Sequence, residues 1–219
     1  MGLDGVNNVC LRLAGVVQRL ARSYLCPMVL PVVAFGHPIL RKVAADINPD
    51  YPDLGKVIDD MWETMYHTNG VGIAAPQVSK PIRLFVVDTV QIVDGFDDED
   101  RAAYPNEQGI KQVFINAQKV EETGTPWPYN EGCLSIPKIR EDVTRPAHVR
   151  LRWVDEHFQS HEATFSGITA RVILHEYDHL EGKLFIDYLA PLKKRLLKKK
   201  LDDISTGKVK VDYRMVFPR

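Results

Sequence analysis

The chain contains no uninterrupted run of about 18 apolar residues, so no part of it reads as a membrane-spanning helix. Cysteine is scarce. Cys10, Cys26 and Cys133 are widely spaced and odd in number, which excludes a disulfide framework and leaves at least one thiol free. That usage fits a reducing, cytoplasmic setting. Neither charge sign is in excess: 28 Lys and Arg against 29 Asp and Glu give a formal net charge of -1. A global basic field for DNA is therefore absent, and so is the acidic surplus of a disordered chain. No internal repeat is present. With 219 residues, 45% hydrophobic and 26% charged, one substantial core in one domain is the default.

Residues 1–27 stand apart. Arg12, Arg19 and Arg22 punctuate an apolar stretch with no acid after Asp4, which leaves a weak amphipathic targeting peptide as one reading. The arginines break any continuous apolar segment, and no small-x-small cleavage site follows. The preferred reading is a dispensable extension or a mis-called start, with Met28 as the true beginning. A domain over 28–205 and a tail over 206–219, which has no strong signal, complete the division.

From Met28 the chain reads as an extended arm that turns at Gly36, His37 and Pro38. Leu54, Val57, Ile58, Met61 and Met65 recur at helical spacing, with Pro52 in the first turn and Asn69-Gly70 at the end. Residues 82–88 and 112–122 are strands by their β-branched content, and the polar, acidic 95–109 between them reads as a surface insertion. Over 148–165, Val149, Leu151 and Trp153 alternate with Arg150 and Arg152 before a turn and a return, which predicts a half-buried hairpin. Ser166 is the expected cap of a helix that Gly182 ends, "KLFIDYL" a short strand or link, and Pro191 the start of a last helix. Strands in runs, with helices between and after them, give an α+β fold.

The helix after Ser166 carries "HEYDH". Residues four apart on a helix stand one turn above each other, so His175 and His179 can grip one ion while Glu176 lies beside it. Three specified positions also fit a solvated helix face. Two other stretches are unusual. "GVGIAAPQ" at 70–77 lets backbone approach a ligand closely, and "EGCLS" at 131–135 sets Cys133 beside a glycine at a strand end. Alone, such a cysteine is more often inert packing.

Together and in this order the three stretches resemble the peptide deformylase family, whose pattern is G-φ-G-φ-A-A-P-Q, E-G-C-φ-S and H-E-x-D-H, with φ apolar. "GHPILRK" and "HLEGKLFIDYL" extend the resemblance over residues 28 to about 200. It implies antiparallel or mixed β-sheets packed around a central metal-binding helix, with a C-terminal helix, and removal of the formyl group from N-formylmethionyl nascent peptides. Cys133, His175 and His179 would hold a divalent ion in tetrahedral geometry with one position left for water. Glu176 would be the general base, and the Gln77 amide and the Leu134 backbone N–H would stabilise the oxyanion. The backbone of Gly70, Val71 and Gly72 would pair with substrate as an added strand.

Further roles follow from the resemblance with alternatives open. Asp178 looks like an anchor for the metal site with Arg145 as partner, or half of a surface ion pair. Arg140 resembles an arginine near the peptide cleft, or is one exposed arginine among many. Arg171 lies on the face of His175 and His179, where the family commonly has an apolar residue near the methionine pocket. Its stem could line that pocket while the guanidinium reaches solvent or an acid, or it could be fully exposed. Leu174 stands where the family usually has Gln, so a hydrogen bond behind the site is expected to be lost. The family implies Fe2+ as the physiological ion, with Zn2+, Ni2+ or Co2+ as substitutes. The run "KKRLLKKK" could contact ribosomal RNA or be a solvated helix face. A zinc endopeptidase would need a third protein ligand, either a histidine at 185, which is Phe, or a downstream acid; a structural zinc would need another protein ligand in the fourth position, and no second cysteine lies near Cys133.

Overall fold

The computed structural model describes residues 26–218, and the expected extension at 1–27 lies outside the described residues except for Cys26 and Pro27. A five-stranded antiparallel sheet organises the rest, in the order β2 (Gly72–Ala74), β3 (Leu84–Asp88), β4 (Lys111–Thr123), β7 (His148–Val154) and β8 (Ser160–Ser166). All five β3 residues are buried because the sheet is covered on both faces. Leu84 and Val86 face helix α1 (Leu54–His67), packing in one cluster with Val57, Met61 and Met65. Phe85 and Val87 face the opposite cluster, with Phe114, Ile173 and Leu180. Period-2 alternation thus sends one strand's side chains into two cores. Each fully buried Met or Phe there contributes about 1.5–3 kcal/mol.

The second core is capped by helix α4 (Gly167–Leu180), in which every residue from Ile168 to Leu180 is buried. This is the helix of "HEYDH", and its burial excludes the solvated-face alternative. A hairpin of β5 (Trp127–Cys133) and β6 (Ile136–Arg145) lies apart from the main sheet. Its Ile136, Ile139 and Val143 pack with Leu197, Leu201 and Ile204 of α5 (Pro191–Ser205). The same cluster takes in β1 (Val32–Val33), which pairs in parallel with β9 (Met215–Val216).

Several local expectations need correction. Ser166 sits at the N-cap of α4, but its side chain makes no capping bond. Glu107 caps instead: its carboxylate accepts from the Ile168 N–H at 2.8 Å and the Thr169 N–H at 3.3 Å. A carboxylate suits the positive end of a helix, and Gly167, at φ +58°, has no Cβ to collide with it. The acidic insertion therefore does more than cover surface. It also contains a short helix, α3 (Asp98–Ala103), which follows α2 (Val90–Asp94). "KLFIDYL" is a 3-10 turn at Phe185–Tyr188 rather than a strand. The tail, which had no signal, supplies β9.

Candidate metal centre

Cys133 ends β5 and points at α4, with its Sγ 3.3 Å from His179 Nε2. The His175 and His179 rings lie 5.3 Å apart at 79°. Among the described residues, Cys133, His175 and His179 form the cluster whose ligand atoms all lie within 4.8 Å of one another. A tetrahedral ion with bonds of about 2.0–2.3 Å needs donors roughly 3.5 Å apart, so the donor set fits one. One orphaned polar group also fits an ion: Glu176 Oε2 is buried without a hydrogen-bond partner. Burial pushes the Glu176 carboxyl up to about 7. A cation beside it would draw that value down.

Glu176 fits only because of Gly72. A Cβ there would meet Glu176 Oε1 at 2.7 Å and Cγ at 2.8 Å. The space expected to admit a ligand is thus occupied by Glu176 itself. Gly72 begins β2, which is an edge strand with one side unpaired by the sheet. Gln77 lies in the 3-10 turn Ala75–Val78. Its Oε1 accepts the Ala74 N–H at 2.8 Å, which turns Nε2 toward Cys133 Sγ (3.5 Å) and Ser135 Oγ (3.3 Å). Leu134 and Ser135 form the two-residue turn between β5 and β6, since Cys133 pairs with Ile136.

Glu131 had no assigned role, and it is the hub behind the site. It accepts Arg145 Nε at 2.7 Å and Nη2 at 3.0 Å, and its Oε2 lies 2.9 Å from His175 Nδ1. Arg145 Nη1 continues to Asp178 Oδ2 at 2.6 Å, and the Tyr188 hydroxyl donates to Oδ1 of the same acid at 3.1 Å. Burial alone would raise the Glu131 carboxyl, but hydrogen bonds from His175 and Arg145 overcome it and hold the group at about 2. The anchored Nδ1 leaves His175 Nε2 as its free donor. The Asp178–Arg145 pair, each side chain 3% exposed, is therefore not a surface pair.

Arg171 is neither exposed nor reaching solvent; it is 2% exposed. Its guanidinium bonds Glu131 Oε1 (3.3 Å), the Val143 carbonyl (3.1 Å) and the Trp127 carbonyl (2.6 Å), and lies 4.6 Å above the Trp127 ring. Arg140 is exposed and held to Asn130 Oδ1 at 3.0 Å. Leu174 is buried in the same hydrophobic cluster as Ile173, Tyr177 and Leu180. A cavity of about 720 Å³ opens over the centre. Its lining includes Gly70, Val71, Gly72, Cys133, Glu176 and both arginines. Lys210, Val211, Asp212 and Tyr213 of the tail also line it, and sequence reasoning had not placed them there.

A thiolate and two imidazoles at the floor of an open cleft, with an unpartnered carboxylate beside them, define a metal-dependent hydrolase. The profile of the Polypeptide deformylase family matches residues 29–195. The chain is 51% identical over 192 residues to a peptide deformylase of Christiangramia forsetii, covering 87% of this chain and 97% of that one. It is 52% identical, over 87% of this chain and 96% of the other, to one of Flavobacterium johnsoniae. The crystal structure of a Legionella pneumophila peptide deformylase superposes with a TM-score of 0.68 at 32% identity, covering 82% of this chain and 97% of that one. One from Acinetobacter baumannii, solved with Met-Ala-Ser bound, gives 0.64 at 32%, covering 74% and 99%. The chain belongs to the peptide deformylase family, and it removes the formyl group from the N-terminal methionine of nascent peptides. The α+β architecture around a metal-binding helix is the one expected. Among the described residues, no helix is long and apolar enough to cross a membrane.

Proposed function

We propose that Cys133, His175 and His179 ligate the ion and that Glu176 is the general base. The observation that carries this is the convergence of three donors beside a buried carboxylate whose Oε2 has no partner. When bound, the ion supplies Lewis acidity, making water a nucleophile near neutral pH and polarising the formyl carbonyl. Glu176 takes the water's proton and returns it to the leaving amine. Gln77 Nε2 and the Leu134 N–H donate to the oxyanion; the support is that Gln77 Oε1 is already engaged by Ala74, so its NH2 faces Cys133. The substrate backbone adds to the free side of β2 through Gly70, Val71 and Gly72. Arg171 and Arg140 belong to the cleft walls, which their positions in the cavity lining support.

Fe2+ is the proposed physiological ion, because a thiolate with two imidazoles suits the borderline ions Fe, Co, Ni and Zn alike and the family resemblance favours iron. The enzyme's place of work is the cytoplasm, where thiols such as Cys133 stay reduced. The exposed lysines of α5 are the surface proposed to meet ribosomal RNA. Loading the metal-free protein anaerobically with Fe2+, Zn2+, Ni2+ or Co2+ and assaying formyl-Met-Ala-Ser tests the metal assignment. Fe2+ should give the highest kcat/KM and lose activity in air; equal turnover with Zn2+ would contradict it.

A further inference from the structure

The turn at Leu134-Ser135 must hold a defined shape, because the Leu134 N–H acts on the oxyanion only if it is aimed before the reaction begins. Two residues of turn have little rigidity of their own. Both of its carbonyls, however, are gripped from outside the hairpin. The Phe35 N–H donates to the Ser135 carbonyl at 2.8 Å, and the Tyr213 hydroxyl donates to the Leu134 carbonyl at 2.8 Å.

These two donors belong to segments that are joined to each other. Phe35 follows β1, Tyr213 precedes β9, and the two strands pair in register, Val32 with Met215 and Val33 with Val216. The Val32 N–H donates to the Arg214 carbonyl at 2.9 Å and the Ala34 N–H to the Val216 carbonyl at 2.8 Å. The arm and the tail therefore form one clamp with two jaws, closed on the turn between the metal thiolate Cys133 and β6. The tail lies beyond the family-matched residues 29–195, and Lys210 to Tyr213 form one wall of the cavity.

We propose that Tyr213 of the C-terminal tail is a positioning residue for deformylation: holding the Leu134–Ser135 peptide by its carbonyl fixes the orientation of Leu134, and with it the Leu134 N–H of the preceding Cys133–Leu134 peptide, for the oxyanion. This rests on the assignment of Leu134 and Gln77 as oxyanion donors. Tyr213 itself touches no reacting atom. Its loss should lower kcat while leaving ground-state binding alone, since the geometry it holds matters only once the oxyanion forms.

The test compares Tyr213→Phe with Gln77→Leu in the metal-loaded full-length protein. It reads kcat and KM for formyl-Met-Ala-Ser, Kd for the product Met-Ala-Ser, metal content and Tm. Tyr213→Phe should lose about ten-fold in kcat, less than the roughly hundred-fold or more expected for losing a donor outright, with KM, product Kd, metal content and Tm unchanged. A merely structural tyrosine would instead move Tm, metal content or product Kd, and that result would overturn the proposal. Wild-type kcat in Tyr213→Phe beside a crippled Gln77→Leu would refute the role of the tail alone. Wild-type kcat in both would refute the oxyanion assignment and the proposal with it.

Discussion

Helices α4 and α5 are nearly equal in length, 14 and 15 residues, and both carry several ionisable side chains. In α4 those side chains are buried and gather at or behind the candidate site: Arg171, His175, Glu176, Asp178 and His179. In α5 only Leu197, Leu201 and Ile204 are buried, and the basic residues stand in solvent. The difference lies in what covers each helix. The sheet and the β5–β6 hairpin close over α4, so each charge there must find a partner or bind an ion. One face of α5 meets the hairpin core and the rest is wet, so its charges need no partner. Ionisable side chains are therefore drawn into one network in α4 and, for stability, count for very little in α5.

Breaking the α4 side of this contrast should have the larger effect. Arg145→Met removes the cation between Glu131 and Asp178, leaves buried Asp178 with only the Tyr188 hydroxyl and takes two hydrogen bonds from Glu131, and should cost about 3–5 kcal/mol in urea unfolding. A loss under about 1 kcal/mol would mean that the network is much wetter than its burial implies. Arg171→Ala should be milder, because Arg145 still serves Glu131. If Arg171 is a working wall of the cleft, metal content stays full and KM for formyl-Met peptides rises several-fold with a smaller change in kcat. Unchanged KM across several formyl peptides would remove it from substrate binding. At the far end, Lys198→Ala breaks the Lys198–Asp202 pair, whose side chains are 73% and 59% exposed. It should change stability by about 0.5 kcal/mol or less.

What could be read from sequence follows the range of each interaction. The proposed ligands His175 and His179 and the proposed base Glu176 are local neighbours on one helix, so spacing alone raised them; Cys133 and Gln77 were singled out only because three short motifs occur together. The strands β3, β4, β7 and β8 and the helix α1 were legible because each has a clean period of 2 or 3.6. β6 was missed because Lys138, Arg140, Glu141 and Asp142 interrupt its apolar pattern, which becomes intelligible only against the hairpin partner and α5. Glu131 stood inside a recognised motif, but its partners lie 14 and 44 residues away at Arg145 and His175. The Glu107 cap of α4 and the Tyr213 contact with Leu134 span 61 and 79 residues. No local pattern records a contact across such a distance, and Ser166 was credited with a cap that a remote carboxylate supplies.

The division of labour inside α4 is the centre of the account, and Glu176→Ala tests it most directly when metal content and turnover are measured on the same anaerobic preparation. Glu176→Ala should keep a full equivalent of metal, because all three proposed ligands remain, with kcat lower by about 10²–10⁴-fold because the base is gone. His175→Ala, measured beside it, should lose the metal first. Near-wild-type turnover of Glu176→Ala across the pH range would contradict the assignment of Glu176 as the general base.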